Sequence, residues 1–431
     1  MVNLKKVAFY TLGCRVNQYE TEVMREQFEK KGYQVTDFDN KPDIFVINTC
    51  SVTAIAERKA RRVISKAAKI NPDAVIVIAG CYSQTSPEEV EKIKYVDVII
   101  GNGEKNRIVE IVEQAGDNKY TEVGDIMKTD RYTPLFASAN SGKTRALIKI
   151  EEGCNNFCSY CIIPYARGPV RSRDEADILK EAMALADAGY KEIVLTGIHI
   201  TSYGTDRGKP ELADLLLKLH EIPGIERIRL GSLELTTEMN RIAEMAKKLP
   251  KLCPHFHMSL QSGSDTVLKR MKRRYTSDEY LAAAKKLTEA FDGAAITTDI
   301  MVGFPGETED EFEESRKFAE KVGFAKVHVF PYSPRRGTVA AEMPDQVAEE
   351  VKKERAEKMQ QTAEKLEKKF YEYNIGKELT VLFEREVSEN VYEGHAENYI
   401  LVRRKCANDL SGKILKIKTS GVNGKALISK E

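Results

Sequence analysis

The 431-residue sequence lacks long apolar runs, and none approaches the roughly 18 residues that a membrane-spanning helix requires. Only a short apolar stretch precedes polar residues at the N-terminus, so we expect no secretory signal and no membrane partner. We therefore expect a cytoplasmic protein with reduced thiols. The sequence also lacks a charge excess, since 67 basic residues face 66 acidic ones. Net charge alone therefore identifies no class of partner.

The eight cysteines are the main chemical signal. In a reducing compartment they favour metal ligands or nucleophiles over disulfides. The length suggests about three domains, and the apolar fraction of 42% is enough for sizeable cores.

The first predicted domain spans residues 1–116, where β-branched runs alternate with helical patterns. This predicts an open parallel α/β sheet. The runs are residues 7–13, 43–49, 74–80 and 96–102. Cys14, Cys50 and Cys81 each follow one of the first three runs. Because the carboxyl ends of parallel strands share one edge, these cysteines are predicted to form a shared metal site. The alternative is three buried, small apolar side chains.

The remaining chain predicts a linker and two further domains. Residues 117–142 lack periodicity and are interpreted as a linker or short ribbon. Residues 143–370 predict a partial (β/α)6 TIM-type barrel, and residues 371–431 a small all-β barrel. The charged segment 345–373 predicts one long helix, interpreted as a solvated spacer. The predicted barrel strands begin near Arg145 and then comprise residues 192–200, 227–235, 255–262, 295–306 and 326–334.

Three cysteines directly follow the first predicted barrel strand. Cys154, Cys158 and Cys161 have the spacing C-x3-C-x2-C, which is one ligand short of a closed zinc or iron–sulfur site. Three thiolates can hold three irons of a 4Fe–4S cluster and leave the fourth iron open for another ligand. Zinc is the alternative, but Tyr165 and His199 do not complete a familiar zinc spacing.

The segment EEGCNNFCSYCIIPYARG (151–168) resembles the radical S-adenosylmethionine enzymes. The resemblance implies that the amino and carboxylate groups of S-adenosylmethionine chelate the open iron. An electron from the cluster then cleaves the sulfonium and gives a 5′-deoxyadenosyl radical. Later segments that resemble the cofactor-binding strand ends of these enzymes are TGIH (196–199), SLQSGSD (259–265) and DIMVGFPGET (299–308).

The same resemblance implies a set of cofactor-binding residues and needs no general base. The set comprises Tyr160, Thr196, Gly197, Glu234, Gln261, Arg273 and Asp299. His199, His255 and His257 are expected to pack or to form hydrogen bonds at strand ends.

Domain order narrows the resemblance to the methylthiotransferases, across essentially the whole chain. The N-terminal motifs that carry it are TLGCRVNQYETE (11–22), INTCSVT (47–53) and AGCYSQ (79–84), and the C-terminal segment resembles the RNA-binding TRAM module. This implies two 4Fe–4S clusters, one of which generates the radical while the other holds a sulfide. It also implies S-adenosylmethionine as methyl donor and radical source, a sulfur donor, and an electron donor such as flavodoxin or ferredoxin.

The charge of the last domain favours RNA as the substrate. Residues 398–431 hold eight Lys or Arg against two Asp or Glu, while residues 372–397 hold two against seven. Such a basic face can follow phosphates. The predicted RNA-binding residues are Arg403, Arg404, Lys405, Lys413, Lys416 and Lys418, and the candidates for base stacking are Phe383, Tyr392, His395 and Tyr399. The alternative is an ordinary barrel core with a charged rim.

Two further basic segments are KRMKRR (269–274) and ARGPVRSR (166–173). They could clamp the anticodon stem, bind the carboxylate of the cofactor, or simply lie on the surface.

TLGCRVNQYE and EGHAENYILV resemble the branch that adds a methylthio group to carbon 2 of N6-threonylcarbamoyladenosine, next to the tRNA anticodon. The alternatives are isopentenyl-adenosine tRNA, an aspartate of a ribosomal protein, and a non-catalytic RNA-binding iron–sulfur sensor. Cys253 and Cys406 are interpreted as structural or incidental.

Overall fold

A computed structural model describes residues 5–116, 118–133 and 144–429, which form an N-terminal α/β domain, a central partial barrel and a C-terminal β-barrel. In the described residues, no helix combines the length and the apolar character that crossing a membrane requires.

The N-terminal domain is an open parallel sheet with helices on both faces, as the sequence predicts. Its strands are β1 (Lys6–Thr11), β2 (Gln34–Val35), β3 (Ile44–Thr49), β4 (Val75–Gly80), β5 (Val98–Ile100) and β6 (Tyr120–Glu122). Its helices are α1 (Arg15–Lys30), α2 (Ala54–Ile70), α3 (Cys81–Thr85), α4 (Pro87–Glu91) and α5 (Ile108–Ala115). The strand order is β2-β1-β3-β4-β5-β6, with every pair parallel.

Continuous β-branched sequence explains why β3 and β4 lie at the centre of this sheet. All six residues of β3 are buried, because helices cover both faces. β6 falls within the segment interpreted as a linker or ribbon, and it pairs with β5 as the sixth strand. The rest of that segment includes residues 117 and 134–142, which lie outside the described residues.

The central domain is an open barrel built from two parallel sheets, ordered β11-β10-β7 and β12-β13-β14-β15. Its strands are β7 (Arg145–Lys149), β8 (Glu151–Glu152), β9 (Arg171–Ser172), β10 (Glu192–Thr196), β11 (Arg227–Leu230), β12 (Ser232–Leu233), β13 (His255–Met258), β14 (Ala295–Val302) and β15 (Lys326–Pro331). Its helices are α6 (Ile163–Arg167), α7 (Glu175–Asp187), α8 (Leu212–His220), α9 (Thr237–Glu244), α10 (Asp265–Arg270), α11 (Ser277–Ala290), α12 (Glu309–Val322) and α13 (Glu349–Tyr373).

One predicted barrel strand, residues 227–235, is interrupted at Gly231. The Gly231 N–H donates to the Leu195 carbonyl over 2.8 Å, which ends the pairing of β11 with β10. The residues that follow form β12, which pairs with β13. The N-terminal domain lies beside the β7 edge, where Tyr19 and Val23 of α1 pack against Leu147.

The interpretation of residues 345–373 as a solvated spacer is wrong. α13 packs along β15, and Met359, Ala363 and Leu366 are buried in the barrel core. Arg355 also pairs with the buried Glu307 over 2.9 Å. The helix therefore covers the open edge of the barrel opposite β7.

The C-terminal domain is a closed five-stranded barrel with the order β16-β17-β18-β20-β19. Its strands are β16 (Glu378–Ser388), β17 (Val391–Ala396), β18 (Leu401–Lys405), β19 (Ile414–Asn423) and β20 (Ala426–Ser429). Residues 395–401, called the 395–401 segment below, contact the central barrel. Arg227 and Arg229 of β11 donate to the Ala396 carbonyl over 3.0 and 3.2 Å, and both pair with Glu192.

Candidate active site at the junction of the three domains

The N-terminal cysteines lie at one edge of their sheet. Cys14 is the N-cap of α1, Cys50 follows β3 and Cys81 begins α3. Gly13 has φ +103°, and a Cβ at this position would lie 2.8 Å from the Cys50 Cβ. A side chain at Gly13 would therefore collide with Cys50, so the close approach of the two loops requires glycine.

The pKa values of two thiols in this first set are raised. Burial raises the pKa of Cys50 to about 12, and the charges of Cys81 and Cys14 contribute to the shift. Desolvation also raises the pKa of Cys14, although this residue is exposed and lines a partly open cavity. Thiols with raised pKa values need a cation to become thiolates, and a bound iron–sulfur cluster supplies one.

A buried guanidinium lies against this first set. Arg167 ends α6 in the central domain, and its Nε is 3.3 Å from the Cys81 Sγ. The same side chain contacts Glu20, Glu152 and Asn17. Burial alone would raise the pKa of Glu20, but Arg167, Lys105 and Lys149 hold it well below its usual range.

This charge cluster comprises Glu20, Glu152, Lys105, Lys149 and Arg167, and all five side chains are buried. Three cations and two anions leave it one positive charge in excess, and a thiolate at Cys81 would balance that charge. The sequence analysis did not select Arg167 individually, because its contact partners are far apart in the chain.

The second set of cysteines occupies the loop between β8 and α6. The Cys154 N–H donates to the Gly168 carbonyl over 3.1 Å, and the Cys161 N–H donates to the Cys158 carbonyl over 2.9 Å. Burial raises the pKa of Cys161 to about 12 and also raises that of Cys154, and each thiol is perturbed by its neighbours. The loop therefore carries three thiols close together, a donor set that fits a 4Fe–4S cluster.

Two of the predicted cofactor-binding residues lie together beside this loop. Arg273 pairs with Glu234 over 3.1 Å, and its Nη1 is 3.5 Å from the Cys158 Sγ. The guanidinium also donates to the Ser259 carbonyl over 2.7 Å. Arg273 is therefore buried and fixed, as expected of a residue that orients a charged ligand near the cysteines.

The turn after β10 is occupied by a carboxyl group that the sequence analysis missed. Glu151 accepts hydrogen bonds from the Ile198 and His199 N–H groups over 2.9 and 2.7 Å. A Cβ at Gly197 would lie 2.7 Å from Glu151 Oε2, so the carboxyl needs glycine there. Burial raises the pKa of Glu151 to about 8. The only sequence signal is its position just after a strand.

The other predicted cofactor residues occupy distinct positions. Tyr160 packs against a small apolar cluster that includes Phe304 and Tyr332. Gln261 has φ +72°, and its N–H donates to the Asp299 carbonyl over 2.9 Å. Its backbone therefore continues the β14 pairing beyond the end of β13.

A cavity of about 650 Å³ lies where the three domains meet. It contains the predicted cofactor residues Thr196, Gly197 and Asp299 and reaches Cys14 of the first cysteine set. Four of the six histidines also line it. These are His255, His257, His328 and His395. A cavity of this size accommodates a small-molecule ligand, so it is the candidate reaction chamber.

Tyr399 of the 395–401 segment closes one side of this cavity. Its ring stacks between His255 and His395, with ring centroids 4.8 and 4.6 Å away. Arg15 donates to its hydroxyl over 3.2 Å. Burial alone would raise the pKa of Tyr399, but Arg15 and two further arginines lower it.

The expected hydrogen-bonding role fits His257, whose ring nitrogens lie 3.0 Å from Thr297 Oγ1 and 3.3 Å from Asp299 Oδ2. His255 packs against Tyr399. His199 is buried, and its Nε2 has no hydrogen-bond partner among the described residues. Cys253 is buried beside Arg229, and Cys406 packs at the edge of the C-terminal core.

The prediction that four residues of the C-terminal barrel stack RNA bases is wrong for two of them. Phe383 and Tyr392 are buried in the barrel core, because alternate residues of a closed barrel point inward. Tyr399 and His395 face the cavity instead. Phe383 and Tyr392 therefore belong to an ordinary barrel core, which was the alternative interpretation.

The predicted basic residues lie on β18, β19 and the turn between them. Lys405, Lys413, Lys416 and Lys418 are exposed, whereas Arg403 and Arg404 are half-buried. Arg403 pairs with Glu393 over 3.0 Å, and Lys416 with Glu378 over 3.6 Å.

In the two basic segments of the central domain, most arginine side chains are not exposed. All three arginines of ARGPVRSR are buried, so this segment is not an RNA clamp. They are Arg167, Arg171 and Arg173. In KRMKRR only Lys269, Lys272 and Arg274 are exposed.

Among the described residues, no three His, Cys, Asp or Glu side chains are arranged as ligands of a single metal ion. In a 4Fe–4S cluster each thiolate binds a different iron, so cluster ligands need not meet the spacing of a single-ion site.

The comparisons with known proteins identify the class first. Residues 148–319 match the radical SAM superfamily, and residues 6–101 match the uncharacterized protein family UPF0004. A radical S-adenosylmethionine methyltransferase, TsrM from Kitasatospora setae, shares the fold with a TM-score of 0.54 and 15% identity, over 77% of each chain. The matched central region is thus a radical S-adenosylmethionine domain, and the shared fold confirms the predicted fold class.

Relatives then define the family. The threonylcarbamoyladenosine tRNA methylthiotransferase MtaB of Bacillus subtilis is 43% identical over 96% of this chain and 93% of that protein. The tRNA-2-methylthio-N(6)-dimethylallyladenosine synthase of Acetivibrio thermocellus is 36% identical over 96% of this chain and 88% of that protein. The chain therefore belongs to the radical SAM tRNA methylthiotransferases. This membership confirms the predicted transferase class and the predicted cofactors, S-adenosylmethionine and two 4Fe–4S clusters.

Proposed function

We propose that this enzyme adds a methylthio group to carbon 2 of N6-threonylcarbamoyladenosine in tRNA, next to the anticodon. The observation that carries the proposal is Arg15, which follows Cys14 and lines the cavity. In the described part of the chain its guanidinium pairs with no carboxylate and bonds only to the Tyr399 hydroxyl. A threonylcarbamoyl group carries a carboxylate that Arg15 can bind, whereas a dimethylallyl group has none. The five relatives at 37–43% identity named for threonylcarbamoyladenosine support the same choice.

Mass spectrometry of tRNA nucleosides from cells lacking the protein tests this substrate. We expect the 2-methylthio form of threonylcarbamoyladenosine to disappear and its precursor to accumulate. Loss of a methylthio-isopentenyl nucleoside instead would contradict the proposal, and unchanged tRNA would favour the ribosomal-protein substrate or a non-catalytic role.

Arg15→Gln gives a second test with purified holoenzyme. We expect the KM for threonylcarbamoyl-containing tRNA to rise at least tenfold, because the charged hydrogen bond to the carboxylate is lost. Arg25→Gln is the matched control, since Arg25 lies on the same helix but pairs with Glu29 at the surface. An unchanged KM in the Arg15 variant would argue against carboxylate recognition.

We also propose the cluster ligands. Cys14, Cys50 and Cys81 hold the sulfur-carrying cluster, and Cys154, Cys158 and Cys161 hold the cluster that cleaves S-adenosylmethionine. Bound there, the clusters supply electrons and sulfur that no side chain supplies. The protein itself provides the six thiols, the Arg167 and Arg273 donors and the cavity. Replacing either cysteine triplet by alanine should halve the iron content, and loss of all iron from one triplet would contradict two separate sites.

The remaining predicted residues and partners fit this scheme. Tyr160, Thr196, Gly197, Glu234, Gln261, Arg273 and Asp299 are proposed to contact S-adenosylmethionine, and the exposed basic residues of the C-terminal barrel to contact the tRNA backbone. An electron donor such as flavodoxin or ferredoxin and a sulfur donor complete the reaction, in the cytoplasm where tRNA is modified.

A further inference from the structure

Two aromatic rings are exposed beside the second cysteine set, one on its loop and one on the helix α6 that follows. The Phe157 side chain is 40% exposed and that of Tyr165 is 44% exposed. The rings contact each other edge to face, with centroids 5.8 Å apart and an interplanar angle of 78°. Large aromatic rings are normally mostly buried, so an exposed pair indicates an interaction surface.

The two rings lie on the segment that carries the second cysteine set and contacts the first set. Phe157 lies directly before Cys158, and Tyr165 is part of α6, which ends at Arg167. Arg167 in turn contacts Cys81 of the first set over 3.3 Å. A nucleotide that must reach both clusters would bring its neighbours close to this segment.

Cations and strained backbone accompany the rings. Phe157 has φ +48° and Lys272 has φ +58°, values that bulky residues adopt only when the surrounding structure imposes them. Arg274 is exposed and donates to the Asn155 carbonyl over 3.0 Å, which holds it beside the loop. Lys269, Lys272 and Arg274 form no ion pair with a carboxylate among the described residues. Ser159 of the loop donates to the Arg270 and Met271 carbonyls over 2.9 and 3.0 Å, so Lys269 and Lys272 adjoin residues that contact the loop. The surface therefore combines exposed rings with positive charge.

We propose that Phe157 and Tyr165 stack on anticodon-loop bases that flank the target adenosine, while Lys269, Lys272 and Arg274 neutralise nearby phosphates. The inference rests on the proposed tRNA function and adds a second RNA contact, distinct from the C-terminal barrel. Single-stranded RNA loops are commonly bound through base stacking on aromatic side chains, with basic side chains along the backbone. An electron-donor protein is the competing occupant of an exposed surface beside a redox site.

Binding of a fluorescent anticodon stem–loop to the full-length holoenzyme tests the proposal. Tyr165→Ala and Phe157→Ala should each weaken binding roughly tenfold, because each removes a stacking ring. Tyr165→Phe keeps the ring and should bind as the unchanged protein does. Tyr95→Ala removes a ring of equal exposure, 44%, from the N-terminal domain and serves as the matched control. Iron content is measured for every variant, and Tyr165→Ala with Tyr165→Phe decides the test if Phe157→Ala loses its cluster.

Unchanged stem–loop affinity in Tyr165→Ala would overturn the proposal. So would slower cluster reduction by reduced flavodoxin combined with unchanged RNA affinity, since that result assigns the surface to the electron donor. Stem–loops with and without the threonylcarbamoyl group separate this inference from the proposed substrate. If the rings stack on flanking bases, Tyr165→Ala should lose the same affinity for both stem–loops. If the substrate assignment is wrong, the unchanged enzyme should bind the two stem–loops equally well.

Discussion

At the scale of single residues, Arg167 links two sites that lie far apart in sequence. Its guanidinium donates to Cys81 and leaves its charge cluster with one positive charge in excess. Hydrogen bonds and positive charge near cluster sulfurs raise the reduction potential. The central domain therefore sets the electrostatic environment of the N-terminal site.

Replacing Arg167 by Met should consequently lower the midpoint potential of the cluster that we propose at Cys14, Cys50 and Cys81 (the N-terminal cluster) by tens of millivolts. The measurement is a redox titration followed by EPR, in a Cys154→Ala, Cys158→Ala, Cys161→Ala background that leaves only that cluster. Arg167→Lys keeps the charge and should shift the potential less. Equal potentials in all three proteins would show that the Cys81 contact does not reach the cluster.

Glu151 predicts a pH dependence of stability. Its pKa lies near 8 in the folded protein, against a usual value of 4.5. The folded protein thus retains a proton that the unfolded chain releases, so this contribution is complete below about pH 4.5 and is lost as the pH rises through 8. Between these limits the free energy of unfolding of the cluster-free protein should fall by about 1.4 kcal/mol per pH unit from this group.

Glu151→Gln should remove that slope, as measured by urea unfolding at pH 5, 6, 7 and 8. Glu378→Gln is the control, since this carboxylate is exposed and should leave the slope unchanged. The same slope in Glu151→Gln and in the unchanged protein would show that the Glu151 carboxyl is ionised in the folded state.

At the scale of elements, α13 closes the open edge of the central barrel. Met359 is fully buried against that barrel. Met359→Ala should lower the free energy of unfolding by roughly 2–5 kcal/mol, because it leaves a cavity between α13 and the barrel. Urea unfolding measures the change, and Lys353→Ala on the exposed side of the same helix should change it by less than about 0.5 kcal/mol. Equal effects would mean that α13 packs only loosely.

The elements also show what the sequence can predict. The runs of buried β-branched residues correctly predict the parallel strands, and the position of Cys14, Cys50 and Cys81 after three of them correctly predicts one shared edge. The role of α13 is not predictable in this way, because its sparse apolar positions lie among many charges and their barrel partners are distant in sequence. Arg167 and Phe383 show the same limit, since charge and aromaticity suggest RNA contacts until the fold shows both side chains buried.

At the scale of the whole molecule, the basic face of the C-terminal barrel predicts a salt dependence. Lys405, Lys413 and Lys418 are exposed and form no ion pair among the described residues. Replacing all three by Gln should reduce the slope of log K against log salt for tRNA binding by about three, since each neutralised phosphate contributes roughly one. A triple replacement of Lys94, Lys285 and Lys317, exposed elsewhere, is the control. An unchanged slope would move the main backbone contact away from this barrel.

The 395–401 segment limits the exchange of C-terminal barrels between related enzymes. Tyr399 forms part of the cavity wall, and Arg227 and Arg229 of the central barrel donate to backbone carbonyls of this segment and pair with Glu192. The C-terminal barrel is therefore not an interchangeable cassette. A chimera that takes its C-terminal barrel from a relative must import a segment that fits these two arginines. Otherwise the cavity will lose one wall, and the two buried guanidinium groups will keep Glu192 but lose their carbonyl acceptors in this segment. We therefore expect that the C-terminal barrel can be exchanged only with relatives whose equivalent segment fits Arg227 and Arg229.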